Sequence, residues 1–326
     1  MNWRWGILGA GKVLAKVAAA LPMVPGAQLV AIASRDPARA RDAAAWYGAL
    51  RWYGEYQQLL AAPDVDIVLN TLHNGLHAEW TIRALQAGKH VLCEKPLAPT
   101  AAEVDAMFDA ARAARRWLME GFMYRFHPQI IEAYRRVQIG EIGDVLLVRA
   151  NYATRGREPG NPRYQRDAGG GALLDVGCYT VNFARLFFGV EPRHATAIAR
   201  WSEPGGVDLT LAAQLDFGSG RAAHLHCSFE ADGCYFAEVI GTQGSIRIPN
   251  PWLPPTGVGE VLISRGAQTE RLTFPTPHLL TPFVEEMRYF QECIGMQRPP
   301  QFPPGIDAEQ DSRANARALE LIARAA

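Results

Sequence analysis

Paired cysteines are missing from this sequence of 326 residues. The cysteines are odd in number and widely spaced, and they are Cys93, Cys178, Cys227, Cys234 and Cys293. Because no Cys-x-x-Cys pair occurs, the pattern indicates neither a disulfide framework nor a cysteine-based zinc site. We expect reduced thiols, mostly in apolar surroundings.

Long hydrophobic runs and net charge are lacking as well. No apolar run approaches the ~20 residues that a membrane-spanning helix needs, and the first residues show no signal-peptide pattern. Lysine plus arginine and aspartate plus glutamate number 33 each, so no net field attracts nucleic acid or an anionic membrane. These absences predict a cytoplasmic protein with no nucleic-acid partner and no membrane partner.

Lysine is scarce, and it occurs only at Lys12, Lys16, Lys89 and Lys95. Arginine stays protonated in proteins, whereas lysine can lose its proton. A lysine at a motif position is therefore more informative here than in a lysine-rich chain.

The first third of the chain alternates short apolar runs with amphipathic stretches. Strands are predicted at 5–8, 28–33, 66–70 and 90–93, and helices at 12–21, 37–47, 78–87 and 101–114. Such alternation is typical of a parallel sheet with right-handed crossovers. We predict an α/β fold whose residues 1–120 form a doubly wound Rossmann domain that binds a dinucleotide.

The pattern changes after about Glu120. A helix is predicted at 130–137, a strand at 144–154 and a helix at 173–188. Strands follow at 194–201, 208–217, 221–230, 235–240, 245–249, 260–264 and 269–274, and helices at 283–293 and 307–325. Residues 121–326 are therefore predicted to form an α+β domain on an open, mostly antiparallel sheet, and the C-terminal helix could pack back on the first domain.

A dinucleotide site is indicated at the first strand–helix turn. Gly9 permits a tight turn, and Gly11 lets the backbone approach a pyrophosphate at the helix start. The third glycine of the fingerprint is replaced by Leu14. The neighbouring Lys12 and Val13 complete the predicted contacts of this turn.

Cofactor choice is predicted at the end of the second strand. An NAD-selective site usually has an acidic residue there, whereas this chain has Ser34 and Arg35. A hydroxyl and a guanidinium suit a 2′-phosphate, so NADP is favoured over NAD. Asp36 is interpreted as a helix N-cap, with Pro37 at the first helical position.

Two segments supply candidate catalytic residues. Glu94-Lys95-Pro96 follows the fourth predicted strand, where ligands of open α/β sheets bind. In the helix 173–188, Asp175, Tyr179 and Asn182 stand at i, i+4 and i+7 and would form one polar stripe. Spacing alone is also compatible with a solvated loop and with a buried core tyrosine.

The chemistry of an alcohol oxidation fits these groups. A base must take the hydroxyl proton while hydride leaves carbon. The pKa of a tyrosine is ~10 in model peptides, and an adjacent ammonium lowers that pKa. Lys95 could supply the ammonium and hold the substrate oxygen, and Asp175 could orient the substrate or pair with Lys95. His73 and His77 have the i, i+4 spacing of metal ligands but no acidic or cysteine partner, so no metal is predicted.

Three segments in this order resemble the glucose–fructose oxidoreductase/inositol dehydrogenase (Gfo/Idh/MocA) family, and more closely its NADP-dependent D-xylose dehydrogenase and dimeric dihydrodiol dehydrogenase branch. They are Gly88-Lys-His-Val-Leu-Cys-Glu-Lys-Pro96, Met123-Tyr-Arg-Phe-His-Pro128 and Gly169-Gly-Gly-Ala-Leu-Leu-Asp-Val-Gly-Cys-Tyr179. The resemblance implies that Lys95, Asp175 and Tyr179 are the catalytic group. It also implies a homodimer or a higher homo-oligomer through the C-terminal sheet.

The resemblance extends the list of site residues. Asn74, His77 and Glu94 are expected to line the cofactor cleft, together with Leu72 and Lys95. The substrate is expected to contact Lys95, Arg125, Asp175, Tyr179 and Asn182.

The function predicted from these residues is hydride transfer between NADP and a hydroxyl-bearing carbon of a sugar, polyol or dihydrodiol. Reduction of a ketosugar or a dicarbonyl by NADPH stays open, because the same site would serve both directions. The same scaffold could also serve a dinucleotide-sensing regulator or a glycosidase with a bound nicotinamide. The intact Lys95, Asp175 and Tyr179 argue against the regulator, and the preference for NADP argues against the glycosidase.

Overall fold

The computed structural model describes residues 2–155, 160–203, 205–231, 233–254, 257–276, 278–303 and 305–326. They fall into two units, Met1–Phe126 with Leu280–Arg313, and His127–Leu279 with Ala314–Ala326. The first unit thus extends past the predicted boundary at 120 and also takes in a late segment. The functional role of each domain stays a prediction.

In the first unit, strands and helices alternate along the chain. In chain order they are β1 Trp3–Leu8, α1 Leu14–Ala20, β2 Ala27–Ala33, α2 Pro37–Tyr47, β3 Arg51–Tyr53, α3 Tyr56–Ala61, β4 Ile67–Asn70, α4 His77–Gln86, β5 His90–Glu94, α5 Ala101–Ala114 and β6 Leu118–Gly121. Asp36 caps α2 through hydrogen bonds from the amides of Ala38 and Arg39, which confirms the predicted N-cap.

These strands form a six-stranded parallel sheet in the order β3-β2-β1-β4-β5-β6. The order reverses beside β1, so β1 and β4 flank the point where ligands of such sheets bind. β1 is buried from Trp5 to Leu8 and β4 is buried throughout. The two edge strands β3 and β6 carried no predictive pattern because each is only three or four residues long.

The late segment of the first unit begins with a helix that packs on this sheet. On this helix, the ring centroid of Phe290 lies 6.5 Å from that of Trp5. The side-chain amide of Gln291 donates a hydrogen bond to the carbonyl of Pro25 at 2.6 Å. Apolar side chains on one face of this helix complete the core beside β1 and β5. This packing explains why Leu280–Arg313 belongs with the first unit and not with the predicted second domain.

The second unit begins with α6 Pro128–Gln138 and β7 Val145–Ala153 and continues to α7 Cys178–Phe188. The strands are then β8 His194–Trp201, β9 Asp208–Gly218, β10 Arg221–Ser228, β11 Tyr235–Gly241, β12 Ser245–Ile248, β13 Gly257–Arg265 and β14 Gln268–Thr276. The helix of the first unit is α8 Thr281–Gly295, the short strands β15 Gln301–Phe302 and β16 Ile306–Asp307 follow, and α9 Ala308–Ala325 ends the chain.

The eight strands of the second unit have the order β14-β13-β12-β11-β7-β10-β9-β8. All neighbours are antiparallel except β7 and β10, which are parallel. α7 contacts the central strands β7, β10 and β11, so one face of the sheet is covered. The predicted α/β fold with a mostly antiparallel second sheet is confirmed.

One predicted helix differs in its first turn. Residues 173–188 are predicted as a continuous α-helix, but Leu173–Gly177 form a π-helical turn before α7. A Cβ on Gly177 would lie 3.0 Å from the sulfur of Cys227, so the turn is packed closely on β10. The π turn changes the angle between successive side chains, and the predicted i, i+4, i+7 stripe therefore does not follow from a regular helix. Single π turns are frequent at functional sites.

None of the helices in the described ranges combines the length and the apolar content that crossing a bilayer requires.

Candidate active site

The turn after β1 has the geometry of a dinucleotide-binding turn. Gly9 has φ +106°, and a Cβ there would lie 2.9 Å from the hydroxyl oxygen of Thr71. Both the backbone conformation and this close approach require glycine. A Cβ on Gly11 would meet no atom within 4 Å. The chain therefore leaves open space beside the turn that leads through Lys12 and Val13 into α1, which fits a pyrophosphate.

Ser34 and Arg35 lie at the carboxyl end of β2, next to this turn. Ser34 is buried, and its hydroxyl accepts a hydrogen bond from the amide of Asp36 at 3.2 Å. Arg35 is exposed. No acidic side chain occupies the strand end itself, because Asp36 is engaged as the cap of α2. The exposed guanidinium is thus available to a phosphate on the adenosine ribose.

The segment after β4 is held by a hydrogen-bond network. The side-chain amide of Asn70 donates to the carbonyl of His77 at 3.2 Å and to the hydroxyl of Thr81 at 3.1 Å. Its oxygen accepts from the amide of Leu72 at 3.3 Å. Asn74 begins a short 3₁₀ turn and is half-buried. The predicted cofactor residues Leu72 and Asn74 therefore lie on one ordered turn.

His77 links this turn to the segment that carries Lys95. Its Nδ1 lies 2.9 Å from the carbonyl oxygen of Pro96, and its Nε2 lies 2.9 Å from that of Leu72. Burial lowers the pKa of His77 to about 4, and the charge of Lys95 contributes to this fall. The ring is neutral at neutral pH and donates to one carbonyl at a time. His77 therefore ties the segment after β4 to the segment after β5.

Lys95 stands directly after β5, and two anchored backbone groups follow it. The carbonyl of Pro96 faces His77, and the amide of Leu97 donates to the carboxylate of Glu120 at 2.9 Å. Glu120 is a buried residue of β6, the neighbouring strand. Lys95 itself is half-buried, and so is Glu94. The lysine is thus presented at the carboxyl edge of the sheet by a segment with little freedom to move.

A buried carboxyl group lies close to this segment. Glu286 of α8 is only 3 % exposed. Burial raises the pKa of Glu286 above its ordinary value, and the charges of Glu94 and Glu120 raise it further. The rise disfavours a third negative charge beside Glu94 and Glu120.

Arg125 has a structural position. Its guanidinium is 0 % exposed, lies 3.5 Å from the carboxylate of Asp311, and donates to the carbonyl of Pro303 at 3.2 Å. It also lies over the ring of Phe302 at 5.1 Å from the centroid. These partners belong to Leu280–Arg313, so Arg125 anchors that segment. Its predicted contact with a substrate stays a prediction.

In the second unit, Asp175 is held by an arginine that sequence reasoning missed. The Nε of Arg163 donates to Oδ2 of Asp175 at 2.8 Å, and the carboxylate is 6 % exposed. Arg163 lies in the segment 155–167, between β7 and the glycine triplet, and residues 156–159 of that segment lie outside the described residues. The only sequence signal for Arg163 was its place in that segment before the glycine triplet.

Tyr179 lies in an aromatic cluster on α7. Its ring centroid is 5.3 Å from that of Tyr152 and 5.8 Å from that of Trp252. Tyr152 and Trp252 stack at 5.8 Å with an interplanar angle of 7°. Tyr179 is 6 % exposed, and Asn182 is 0 % exposed. The ring of Tyr179 is therefore fixed in place by aromatic contacts on two sides.

The glycine triplet before the π turn permits a close backbone approach. The amide of Gly171 donates to the carbonyl of Arg163 at 2.9 Å, and the amide of Gly170 donates to that of Gln165 at 3.0 Å. A Cβ on Gly170 would lie 2.7 Å from the carbonyl oxygen of Gln165. The absence of side chains thus lets residues 161–168 lie directly on the turn that carries Asp175.

The structure brings the predicted residues together in two groups. The carboxyl edge of the six-stranded sheet gathers the turn after β1, the ends of β2 and β4, and Lys95. The second unit gathers Arg163, Asp175 and Tyr179 around the start of α7. Within the described ranges, no group of three or more His, Cys, Asp and Glu side chains is arranged to hold a metal ion.

Comparison with known proteins identifies both units. Residues 3–122 match the family described as "Oxidoreductase family, NAD-binding Rossmann fold", and residues 130–247 match the "GFO/IDH/MocA C-terminal domain". The chain is 37% identical over 331 residues to a D-xylose 1-dehydrogenase (NADP(+)) of Haloferax volcanii. The alignment covers 97% of this chain and 99% of the relative. It is 35% identical to a trans-1,2-dihydrobenzene-1,2-diol dehydrogenase of Danio rerio, over 90% of this chain and 87% of the relative.

A solved structure agrees over the whole length. KijD10, a 3-ketoreductase from Actinomadura kijaniata crystallised with NADP and TDP-benzene, superposes with a TM-score of 0.92 at 30% identity. The match covers 100% of this chain and 98% of that chain. With both domains matched and relatives aligned from end to end, the chain belongs to the Gfo/Idh/MocA family of oxidoreductases, as its motifs predicted.

Proposed function

We propose that this oxidoreductase transfers hydride between NADP and a hydroxyl-bearing carbon of a sugar, polyol or dihydrodiol. The observation that carries the proposal is the position of Lys95. It stands at the carboxyl edge of the sheet, on a segment fixed by His77 and Glu120, on the same edge as a turn that leaves room for a pyrophosphate. The substrate class rests on the relatives, which are named for xylose, dihydrodiols and a ketosugar-type reduction.

The residues of the chain have distinct roles in this proposal. Tyr179 takes the proton from the substrate hydroxyl during oxidation and returns it during reduction. The ammonium of Lys95 donates a hydrogen bond to the reacting oxygen and stabilises its negative charge. Asp175, held by Arg163, orients a further hydroxyl of the substrate. Bound NADP supplies the chemistry of hydride acceptance and return, and the aromatic cluster around Tyr179 keeps water from that residue.

The direct test is a panel of aldoses, inositols and dihydrodiols with NADP, and of ketosugars and dicarbonyls with NADPH. Substrate-dependent change in the absorbance of the reduced nicotinamide is expected with at least one carbohydrate-like compound. The two halves of the panel separate the dehydrogenase from the reductase. NADP binding without turnover on any compound would instead favour a dinucleotide-sensing regulator on the same scaffold.

Arg35→Ala is expected to weaken NADP binding by about 2 kcal/mol, or roughly thirtyfold in Kd, because hydrogen bonds to a charged phosphate are lost. NAD binding should change little, since NAD has no 2′-phosphate. Titration calorimetry with both cofactors measures the two values. Arg39→Ala, at an exposed arginine one turn along α2, is the matched control. Equal weakening of NAD and NADP would contradict the proposed phosphate contact.

The outer face of the eight-stranded sheet supports a homodimer. Ile198 on β8 is 82% exposed, and the neighbouring outward positions Ala212 on β9 and His224 on β10 are exposed as well. We infer that this face of the sheet packs on a second copy of the chain, as the family resemblance implies. Ile198→Asp should lower the molar mass measured by light scattering to that of one chain. Val190→Asp, at an exposed apolar site outside the sheet, should leave that mass unchanged; an unaltered mass in both variants would reject this interface.

A further inference from the structure

The turn that carries Asp175 receives its N-terminal cap from a distant strand. Ala172, at the N-cap position, has no side chain that could cap the turn. The carboxylate of Asp208, the first residue of β9, accepts a hydrogen bond from the amide of Leu173 at 2.7 Å. The amide of Ala172 also faces this carboxylate and lowers its pKa. The amide of Leu173, which the turn itself leaves without a partner, is therefore satisfied by Asp208.

Glycine at position 171 makes this cap possible. Gly171 has φ +116°, a conformation that other residues rarely adopt. A Cβ at this position would collide with Oδ1 of Asp208. The amide of Asp175 donates to the carbonyl of Gly171 at 3.0 Å, so the capped end and Asp175 belong to one hydrogen-bonded unit.

We propose that Asp208 is a positioning residue for hydride transfer, because it fixes the π turn and thereby sets the places of Asp175 and Tyr179. The inference rests on the proposed function for its effect on turnover. Asp208 is 8 % exposed and touches the turn through its carboxylate, so it acts through the helix and not on the substrate.

Two opposing effects act on the pKa of Asp208. Burial raises the pKa of Asp208 to about 6, although the hydrogen bonds from the backbone amides oppose this rise. On β10, Cys227 packs nearby, and burial together with the charge of Asp208 raises the pKa of its thiol. Ionisable groups on the elements packed against this strand and turn include Cys178 and Tyr179 on α7, Arg200 on β8, His226 on β10 and the Arg163–Asp175 ion pair.

The sign of the pH effect differs between the whole protein and the turn. A carboxyl whose pKa is raised in the folded state binds its proton more tightly there than in the unfolded chain. As pH falls through 6, this group therefore adds to global stability. The amide hydrogen bonds, however, favour the ionised form and weaken on protonation. Protonation of Asp208 in acid should thus loosen the capped turn, but it should not lower the free energy of unfolding of the whole protein.

Asp208→Asn removes the charge and keeps the shape of the side chain. We expect kcat above pH 7 to fall about tenfold, as small misplacements of reacting groups do, while the Kd for NADP stays unchanged. In the native protein, kcat should fall on the acid side with an apparent pKa near 6, and this limb should disappear in Asp208→Asn. The melting temperature of Asp208→Asn should shift no more than that of the control variant, Asp216→Asn.

The matched control is Asp216→Asn on the same strand. Asp216 also accepts a backbone hydrogen bond, from the amide of Gly218 at 2.7 Å, but it caps the β9–β10 turn. This variant should keep both the rate and the acid limb of the native protein. A variant-free measurement is hydrogen exchange of peptides covering 172–178, corrected for intrinsic rates. These amides should lose protection between pH 7 and pH 5 while those of α6 keep theirs.

The outcomes separate this inference from the proposed function. If the native protein is active and Asp208→Asn keeps the native kcat and the acid limb, the inference is overturned and the proposed function stands. If no substrate on the panel turns over, the proposed function fails, and hydrogen exchange still decides the cap. Exchange at 172–178 that is the same in Asp208→Asn and Asp216→Asn, and that does not change with pH, rejects the role of Asp208 altogether.

Discussion

Tyr179→Phe is expected to lower kcat by about 10³-fold while NADP binding stays within twofold, because general acid–base catalysis contributes 10²–10⁴-fold. The substitution removes one oxygen atom and retains the ring, whose contacts with Tyr152 and Trp252 hold it in place. The expected loss is therefore chemical and not structural. Steady-state kinetics with the best substrate of the panel, together with calorimetry for NADP, give the two quantities.

The matched control for this substitution is Tyr152→Phe. Tyr152 lies in the same aromatic cluster and stacks on Trp252, so the control makes the same chemical change beside the proposed acid–base group. Its kcat should stay at least tenfold above that of Tyr179→Phe. Comparable losses in both variants would mean that the cluster, and not the hydroxyl of Tyr179, determines the rate.

Lys95→Ala is expected to lower kcat by about 10³–10⁴-fold, since it removes the proposed charge stabilisation and the hydrogen bond to the reacting oxygen together. The backbone around it is fixed by hydrogen bonds at Pro96 and Leu97 that do not use the side chain of Lys95. The segment should therefore keep its form, and circular dichroism and thermal unfolding should match the native protein. Single-turnover kinetics would separate this loss of rate from any change in substrate binding.

Two further variants sharpen the test of Lys95. Lys95→Arg keeps the positive charge but not the compact ammonium, and it should recover only a small part of the rate. If Lys95 and Tyr179 act as one unit, the double variant Lys95→Ala/Tyr179→Phe should lose little more than the poorer single variant. Strictly additive losses would show that the two residues act on separate steps.

The ion pair between Arg163 and Asp175 limits the role that Asp175 can have. A buried carboxylate that accepts a hydrogen bond from a guanidinium at 2.8 Å has a fixed orientation. Such a group is suited to accept hydrogen bonds from substrate hydroxyls, and less suited to take the reacting proton. Tyr179 is the better candidate for the proton because its chemistry alternates between donor and acceptor.

Most elements of the fold follow from the sequence pattern. α2 and α5 were predicted with the bounds that the structure gives, since Asp36-Pro37 and Thr100 mark their starts with clear caps. β3, α3 and β6 were not predicted. These short elements owe their structure to neighbours in the sheet and the core, and they carry too few residues for a periodic signal.

The sequence by itself determined which reactive and binding groups the chain carries. They are a glycine turn for a pyrophosphate, Ser34 and Arg35 in place of an acidic residue, a motif lysine, and Asp175 with Tyr179 after a glycine triplet. These signals are local, so residue type and spacing suffice to read them. The family relationship follows from the same motifs.

Only the tertiary structure decided which residues hold that chemistry in place. Glu120 supports Leu97 across two strands, Arg163 pairs with Asp175, and Asp208 caps a turn that lies 35 residues earlier in the chain. It also assigned Arg125 to the core and turned the first part of a predicted α-helix into a π turn. These arrangements join segments that are distant in sequence, and their energies depend on burial and hydrogen bonding that no local pattern encodes.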